Sequence, residues 1–482
     1  MELTLLLLAT LVSVDAIPPP DSVDCFLESD TIQEVELAVF PPDGVPPPLS
    51  YQVSWGDGTT EEWTRPVDID IEVYLYHRYR QPGRYEVTAR ARDGLSRVSG
   101  WTAPLPVVIT EPRLKWLFPT FDPVVGSPAL DPDGNVYFGD EGGWVYSLGP
   151  AGQLRWAFQT GEAVMASVAV VPDARGSRGC NPLSWFRRPR PRGSLVYAAC
   201  LDSFLYCLDG DGRLRWKLLL GDEVYSAPAV GVDGTIYVGT DRGLLLAVAP
   251  DGRLRWEFDC GAEIASSPSI GTNGLIYLTS DSVYCLDPGR RVRWTFGTSE
   301  PDDYFFAGAA PAPDGTVYAA TVAGTVYAIG PDGRLRWQAP VPDRDEIRTE
   351  PVFDAAGNLY VGTDGDYLCV MPPGGTFRVV YEALDIVTST VAVSSAGTAY
   401  FLPDDGTLYA CGADHRMLWR QDVATEDKDI YYSSSPTIGP DGTVYVGSWD
   451  GGLYAFTGDG PPAASFWPQY RGDARHTGRT AR

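Results

Sequence analysis

The sequence predicts an all-β chain: a small β-sandwich followed by an eight-bladed β-propeller. Three observations predict it. Short apolar runs separated by Gly and Pro turns fill the chain from residue 22 onward, and no segment keeps a helical period. After residue 113 one phrase of about forty residues recurs eight times. Within that phrase the second strand is apolar on both faces, as in Thr443-Val444-Tyr445-Val446-Gly447, and so needs cover on both sides. The 482 residues, 44% of them hydrophobic, suffice for one small domain and one large repeat domain. The 52 glycines and 41 prolines fall at intervals, as turns require.

The amino terminus carries an apolar run from Leu5 to Val14, too short to cross a bilayer. Val14 and Ala16 are small enough to flank a cleavage site, so residues 1–16 are expected to be a signal peptide and 17–21 a Pro-rich leader. The missing Lys or Arg and the presence of Glu2 depart from the usual pattern; a buried strand is the competing reading. No other segment is long and apolar enough for a membrane helix. An exported protein, in the periplasm, at the cell surface or secreted, is therefore expected. The net charge of -26 would repel phosphate backbones, which excludes nucleic acid as a partner and favours cations.

Residues 22–110 are expected to form the sandwich. Strand patterns cover Glu34–Phe40, Leu49–Trp55 and Arg84–Arg90. Trp55-Gly56-Asp57-Gly58-Thr59 reads as a strand end entering a tight turn. His77-Arg78-Tyr79, Pro82-Gly83-Arg84-Tyr85-Glu86-Val87 and Asp93 follow. This order resembles the PKD domain family. The resemblance implies an immunoglobulin-like β-sandwich used as a spacer or interaction module, in which Asp57 and His77 are structural.

Residues 113–470 carry the repeats. Their second-strand tyrosines are Tyr137, Tyr197, Tyr237, Tyr277, Tyr318, Tyr360, Tyr400 and Tyr445. A tryptophan closes most repeats, at Trp156, Trp216, Trp256, Trp294, Trp337, Trp419 and Trp467; repeat six has Val379 there. Four short strands per repeat and burial on both faces fit blades stacked around an axis, and ring closure removes open edges. Leu114-Lys115-Trp116-Leu117-Phe118 is a surplus outer strand, expected to complete the last blade; the tail around Phe466-Trp467 is the competing candidate. Cys207, Cys285, Cys369 and Cys411 are expected to fill one small buried slot that Ala328 and Ala455 fill elsewhere, too far apart to form disulfides.

The repeat, typified by the stretch from Ser434 to Phe456, resembles the PQQ-like β-propeller family, as does Trp467-Pro468-Gln469-Tyr470-Arg471-Gly472-Asp473 in the tail. Residues 471–482 are expected to be a C-terminal tail. The family holds quinoprotein dehydrogenases and many non-enzymes, among them an outer-membrane assembly lipoprotein and extracellular sensor domains. In the dehydrogenases the resemblance implies adjacent paired cysteines, a stacking Trp, and Ca²⁺ held by Glu, Asn and Asp. This chain has no Cys-Cys pair, and its four asparagines are Asn135, Asn273 and Asn358 in first turns and Asn181 in an insertion.

No catalytic residue or cofactor is assigned. The three histidines, His77, His415 and His476, lie in separate segments, which argues against a His-based zinc site or a serine triad. There is no phosphate-cradling loop. The Asp-Gly stretches recur where turns are required and lack the other ligands of a calcium loop. Two candidate sites remain. Asp122, Glu162, Glu223, Glu263, Asp303, Glu346, Asp385 and Asp429 occupy the loops leading into the innermost strands and would gather at one channel mouth, where Ca²⁺ or basic peptides would be attracted. The bland alternative is that an acidic protein places acidic residues in loops anyway. The insertion Pro172–Gly193 carries Arg175, Arg178, Trp185, Phe186, Arg187, Arg188, Arg190 and Arg192, either a partner-docking loop or a solvated one.

The expected function is a non-catalytic extracytoplasmic scaffold, a monomer whose partner is a protein or surface polysaccharide. The alternatives are a PQQ-dependent oxidoreductase and a carbohydrate-binding surface built on Trp144 and Trp449.

Overall fold

The computed structural model describes residues 23–27, 34–39, 48–67, 73–78, 83–109, 113–173, 193–264, 266–298, 300, 303–424 and 434–480. The expected signal peptide and leader, Asp429 and the arginine-rich segment from Arg175 to Arg192 lie outside the described residues. Every regular element among the described residues is a β-strand. Contacts divide the chain into Met1–Arg113 and Leu114–Arg482.

In the first unit, Val23–Leu27, Glu34–Val39 and Val73–Arg78 form one antiparallel sheet, and Leu49–Ser54, Gly83–Asp93 and Leu105–Ile109 form another. Alternation sends Tyr51, Val53, Val87, Ala89 and Ala91 inward to a shared core with Trp55. The turn after Trp55 requires glycine: Gly56 has φ +78°, and a Cβ there would lie 2.6 Å from the Glu86 backbone nitrogen. His77 stacks on Trp55 at 4.8 Å and its Nε2 lies 2.8 Å from Asp57 Oδ2. Burial alone would raise the Asp57 pKa, but hydrogen bonds from Thr59 and His77 hold it down at about 2.

The second unit contains eight four-stranded antiparallel sheets, the blades of an eight-bladed propeller. Second strands such as Val136–Gly139, Ile236–Gly239 and Leu359–Gly362 are buried at every position, because a neighbouring blade covers each face. Outer strands such as Leu154–Gln159 alternate between exposed and half-buried. Each outer tryptophan leans on the second-strand tyrosine of its own blade, as in Tyr137–Trp156 at 5.9 Å and Tyr277–Trp294 at 6.0 Å. Five of them also reach into the next blade. Trp116, Trp156, Trp216, Trp256 and Trp294 each donate their indole N–H to a turn carbonyl there, at 2.9 to 3.1 Å. The turn must present a glycine: Gly152 has φ +79°, and a Cβ on it would sit 2.6 Å from the Trp116 ring.

Leu114–Pro119 pairs with Gly452–Thr457, so an outer strand from the beginning of the unit completes its last blade. Trp116 then bonds Pro150 in blade one, and the ring is closed. Phe466-Trp467, the competing candidate, forms no strand.

The cysteine expectation needs one correction. Cys207 and Cys285 face Trp216 and Trp294 in register, and Cys369 faces Val379 in the same slot. In blade seven it is Ala410 that faces Trp419, and Cys411 lies one position on. Because side chains alternate faces, Cys411 packs into a different cluster from Ala410. All four cysteines are buried, and none of them is in a disulfide.

Candidate functional site

The residue that closes each lead-in loop, just before the innermost strand, faces the axis. These residues are Ser127, Ser167, Ala227, Ser267, Gly308, Glu350, Thr390 and Ser435. Several are stitched from blade to blade by a backbone N–H donating to the next blade's hydroxyl. Ser127 N reaches Ser167 Oγ at 2.7 Å, Ala227 N reaches Ser267 Oγ at 2.9 Å, and Glu350 N reaches Thr390 Oγ1 at 3.0 Å. Thr390 N reaches Ser435 Oγ and Ser435 N reaches Ser127 Oγ, both at 2.9 Å, which carries the stitching across the closure. Seven of the eight residues line a cavity of about 370 Å³.

The carboxy-terminal tail floors this cavity. Its carbonyls accept from the free inner edges of the blades: Leu130 N to Ala474 O at 2.6 Å, Val170 N to Arg475 O at 2.9 Å, Val230 N to Thr477 O at 2.9 Å, and Ile270 N to Gly478 O at 2.7 Å. Phe353 N and Val393 N reach Trp467 O and Pro468 O, and Ile438 N reaches the Gln469 side chain. Blade five presents Pro311, which has no N–H, and there the polarity reverses: Thr480 Oγ1 donates to the Pro311 carbonyl at 2.6 Å. The tail thus holds all eight blades. Inner-edge polar groups that would otherwise be unsatisfied are paired.

Arg471 anchors the tail. Fully buried, its guanidinium donates to the carbonyls of Pro268 at 2.6 Å, Pro228 at 3.1 Å and Ala227 at 3.4 Å. Glu350 lies beside it. Burial pushes the Glu350 carboxyl up from its ordinary value, against the pull of Arg471 and a hydrogen bond from the Trp467 indole. His476 is packed edge-on against Tyr470, with Nε2 3.1 Å from Thr437 Oγ1. Burial, reinforced by Arg471, lowers its pKa to about 3, so it is neutral.

The acidic residues expected at the mouth distribute unevenly. Asp122, Glu162, Glu223, Glu263, Asp303, Glu346 and Asp385 all lie in the lead-in loops, but only Glu263 lines the cavity. Glu346 is tied to Arg348 at 2.8 Å, and Asp303 Oδ1 accepts from Ala323 N at 3.0 Å. The loops run against the turns between second and third strands, as in Asp241 N to Glu223 O and Asp364 N to Glu346 O. Those turns bring in carboxylates the sequence reading did not single out: Asp140, Asp241, Asp364 and Asp404. Burial raises Asp364 to about 6, although Arg348 pulls it down from 3.0 Å away. Glu263 is raised by burial and by the adjacent Asp241 carboxylate. Among the described residues no three carboxylate, histidine or cysteine side chains converge in a way that would hold a metal ion.

Glu350 was also missed, and its signal lay in the sequence: Arg348-Thr349-Glu350-Pro351 puts a carboxylate where other repeats put Ser, Thr, Ala or Gly. Among the described residues, the groups that the family resemblance implies for a bound quinone and Ca²⁺ do not meet. The amides of Asn135 and Asn358 are tied to Asp131 and Asp354 in first turns, and the third-strand cysteines Cys207, Cys285, Cys369 and Cys411 are buried in separate blades. Trp144 and Trp449, candidate sugar platforms, are both half-buried.

Comparison with known proteins bears on the fold. A family model described as outer membrane protein assembly factor BamB matches residues 201–375 and 280–460. The chain is similar to the crystal structure of a computationally designed protein, Ika8, at 14% identity over 72% of this chain and 99% of that one, with a TM-score of 0.56. It is also similar to the crystal structure of BamB from Moraxella catarrhalis, at 14% identity over 71% of this chain and 100% of that one, with a TM-score of 0.51. No curated protein matches the chain.

Proposed function

This chain belongs to the family described as outer membrane protein assembly factor BamB, and from that premise we propose that it is an exported, non-catalytic binding scaffold. The observation that carries the reading is the channel itself: a well open among the lead-in loops and closed beneath by a tail bonded to every blade. Such a ring is rigid, because each blade is held by its neighbours and by a common floor, and rigidity suits a platform that presents loops to a partner. The partner proposed is a protein. Residues 22–110 act as a PKD-like spacer, and its Asp57–His77–Trp55 cluster is structural. Residues 1–16 are proposed to direct export, and among the described residues no helix is long and apolar enough to cross a membrane.

The test is equilibrium binding of pyrroloquinoline quinone to the mature chain in Ca²⁺, followed by absorbance, beside a dye-linked oxidation assay. The expected result is no saturable binding at high micromolar quinone and no turnover. Tight one-to-one binding would overturn the scaffold reading in favour of an oxidoreductase.

A further inference from the structure

The channel well combines a buried carboxylate with an acidic wall and aromatic rings. Glu350 is 3% exposed. Both hydrogen bonds that reach its carboxylate end on Oε2, from Trp467 Nε1 at 3.2 Å and Arg471 N at 3.1 Å. That leaves Oε1 open to the cavity Glu350 lines. The terminal nitrogens of the Arg471 guanidinium donate to backbone carbonyls below, and its charge also acts on Glu350. Asp241 and Glu263 stand together on the wall, close enough for the Asp241 carboxylate to raise the pKa of Glu263. The cation of the lining, Arg348, is held by Glu346 and Asp364 at 2.8 and 3.0 Å, so its charge is already matched. Tyr225, Phe306 and Tyr470 supply rings.

We propose that this well binds an alkylammonium group, carried by a lysine side chain of a partner or by a free polyamine. An ammonium has three donors and no acceptor, which suits Glu350 Oε1 together with hydroxyl oxygens of the ring. The aliphatic stem lies against Phe306, Met165 and Ala166, and aromatic faces favour a cation above them. A carboxylate buried with one open oxygen is costly, and a bound cation removes that cost. Among the described residues the carboxylates of the well belong to no group of three that would hold a metal ion. The inference rests on the scaffold reading and names the chemistry its partner presents. The two fail separately: tight quinone binding would remove the scaffold, whereas loss of amine binding would remove only this site.

The experiment is calorimetric titration of the mature chain with 1,5-diaminopentane, with Nα-acetyl-lysine methylamide, and with 1-pentanol as the neutral control. Saturable binding of an amine is expected and none of the alcohol. Glu350→Gln should weaken it about tenfold to a hundredfold, the worth of a hydrogen bond to a charged group. Asp241→Asn with Glu263→Gln should weaken it as well, and this pair touches no tail residue, so it decides the matter if Glu350→Gln fails to fold. Binding of the lysine amide assigns the site to a partner's side chain; binding of the diamine alone assigns it to free polyamines. No saturable amine binding, or affinity retained in both variants, would overturn the proposal.

Discussion

Removing the Arg471 guanidinium should cost the propeller several kcal/mol although the residue lies eleven positions from residue 482. Arg471→Met keeps length and apolar bulk but deletes every donor. The carbonyls of Pro268 and Pro228, which it meets at 2.6 and 3.1 Å, lose a charged donor inside the protein. Glu350 loses the nearest positive charge. Charged hydrogen bonds contribute about 1.5–3 kcal/mol each, and leaving one partner of a buried charge pair behind costs about 3–5 kcal/mol. The two figures describe the same loss, so about 3–5 kcal/mol is expected in total. The unfolding entropy of a unit spanning Leu114–Arg482 is about 0.8 kcal/mol/K, from about 2.1 cal/mol/K per residue. The melting temperature should therefore fall by about 4–6 °C. Differential scanning calorimetry of wild type and variant at neutral pH measures it. Arg475→Met is the control: Arg475 is partly exposed and pairs with Asp473 at 3.2 Å, a contact of about 0–1 kcal/mol. A drop of less than about 1 °C for Arg471→Met, or equal drops for both, would refute the role of the tail as an anchored floor.

Two further predictions follow from the packing. Gly152→Ala places a Cβ 2.6 Å from the Trp116 ring at φ +79° and should cost about 2 kcal/mol or more by urea denaturation, whereas Gly221→Ala, at φ +89° with nothing within 4 Å, should cost only the left-handed strain of about 1–2 kcal/mol; equal costs would show that the Trp116 contact does not close the ring. His476, whose pKa falls from 6.5 to about 3 on folding, contributes stability that is fully present above pH 6.5 and is lost as pH falls toward 3. Asp364, raised to about 6, acts in the opposite sense: its contribution is present below the ordinary carboxylate range and lost as pH rises through about 6. The stability gap between wild type and His476→Gln isolates the histidine, and it should shrink by about 1.4 kcal/mol per pH unit between pH 6 and 4. A flat gap would mean that the tail is hydrated in solution.

Much of the propeller is local and was legible. A blade is a repeat of turn and strand chemistry: Asp-Gly turns, strands apolar on both faces, and a tyrosine facing the blade's own tryptophan. These leave a period that survives in one sequence. Counting outer strands pointed to Leu114–Phe118 as the strand that closes the ring, with the tail around Phe466-Trp467 as the rival, and strand pairing decides for the former. Register at single-residue precision was less legible: Cys411 follows Ala410, and only strand pairing shows which of the two faces Trp419.

The site depended on convergence. The sequence determined that Glu350 stands in a slot occupied elsewhere by small residues, but not that this slot faces an axis, since eight loops remote in sequence define that axis together. It determined a Trp-Pro-Gln-Tyr-Arg segment, but not that its carbonyls would satisfy the inner edges of blades reaching back to Leu130. It determined acidic loops, but not which carboxylates meet: Glu263 finds Asp241, whereas Glu346 is taken by Arg348. Strand and turn formation is set by neighbours along the chain, so the sequence by itself determined the blades. The charge and hydrogen-bond balance of the channel is set by groups up to hundreds of residues apart, and only ring closure in three dimensions decided it.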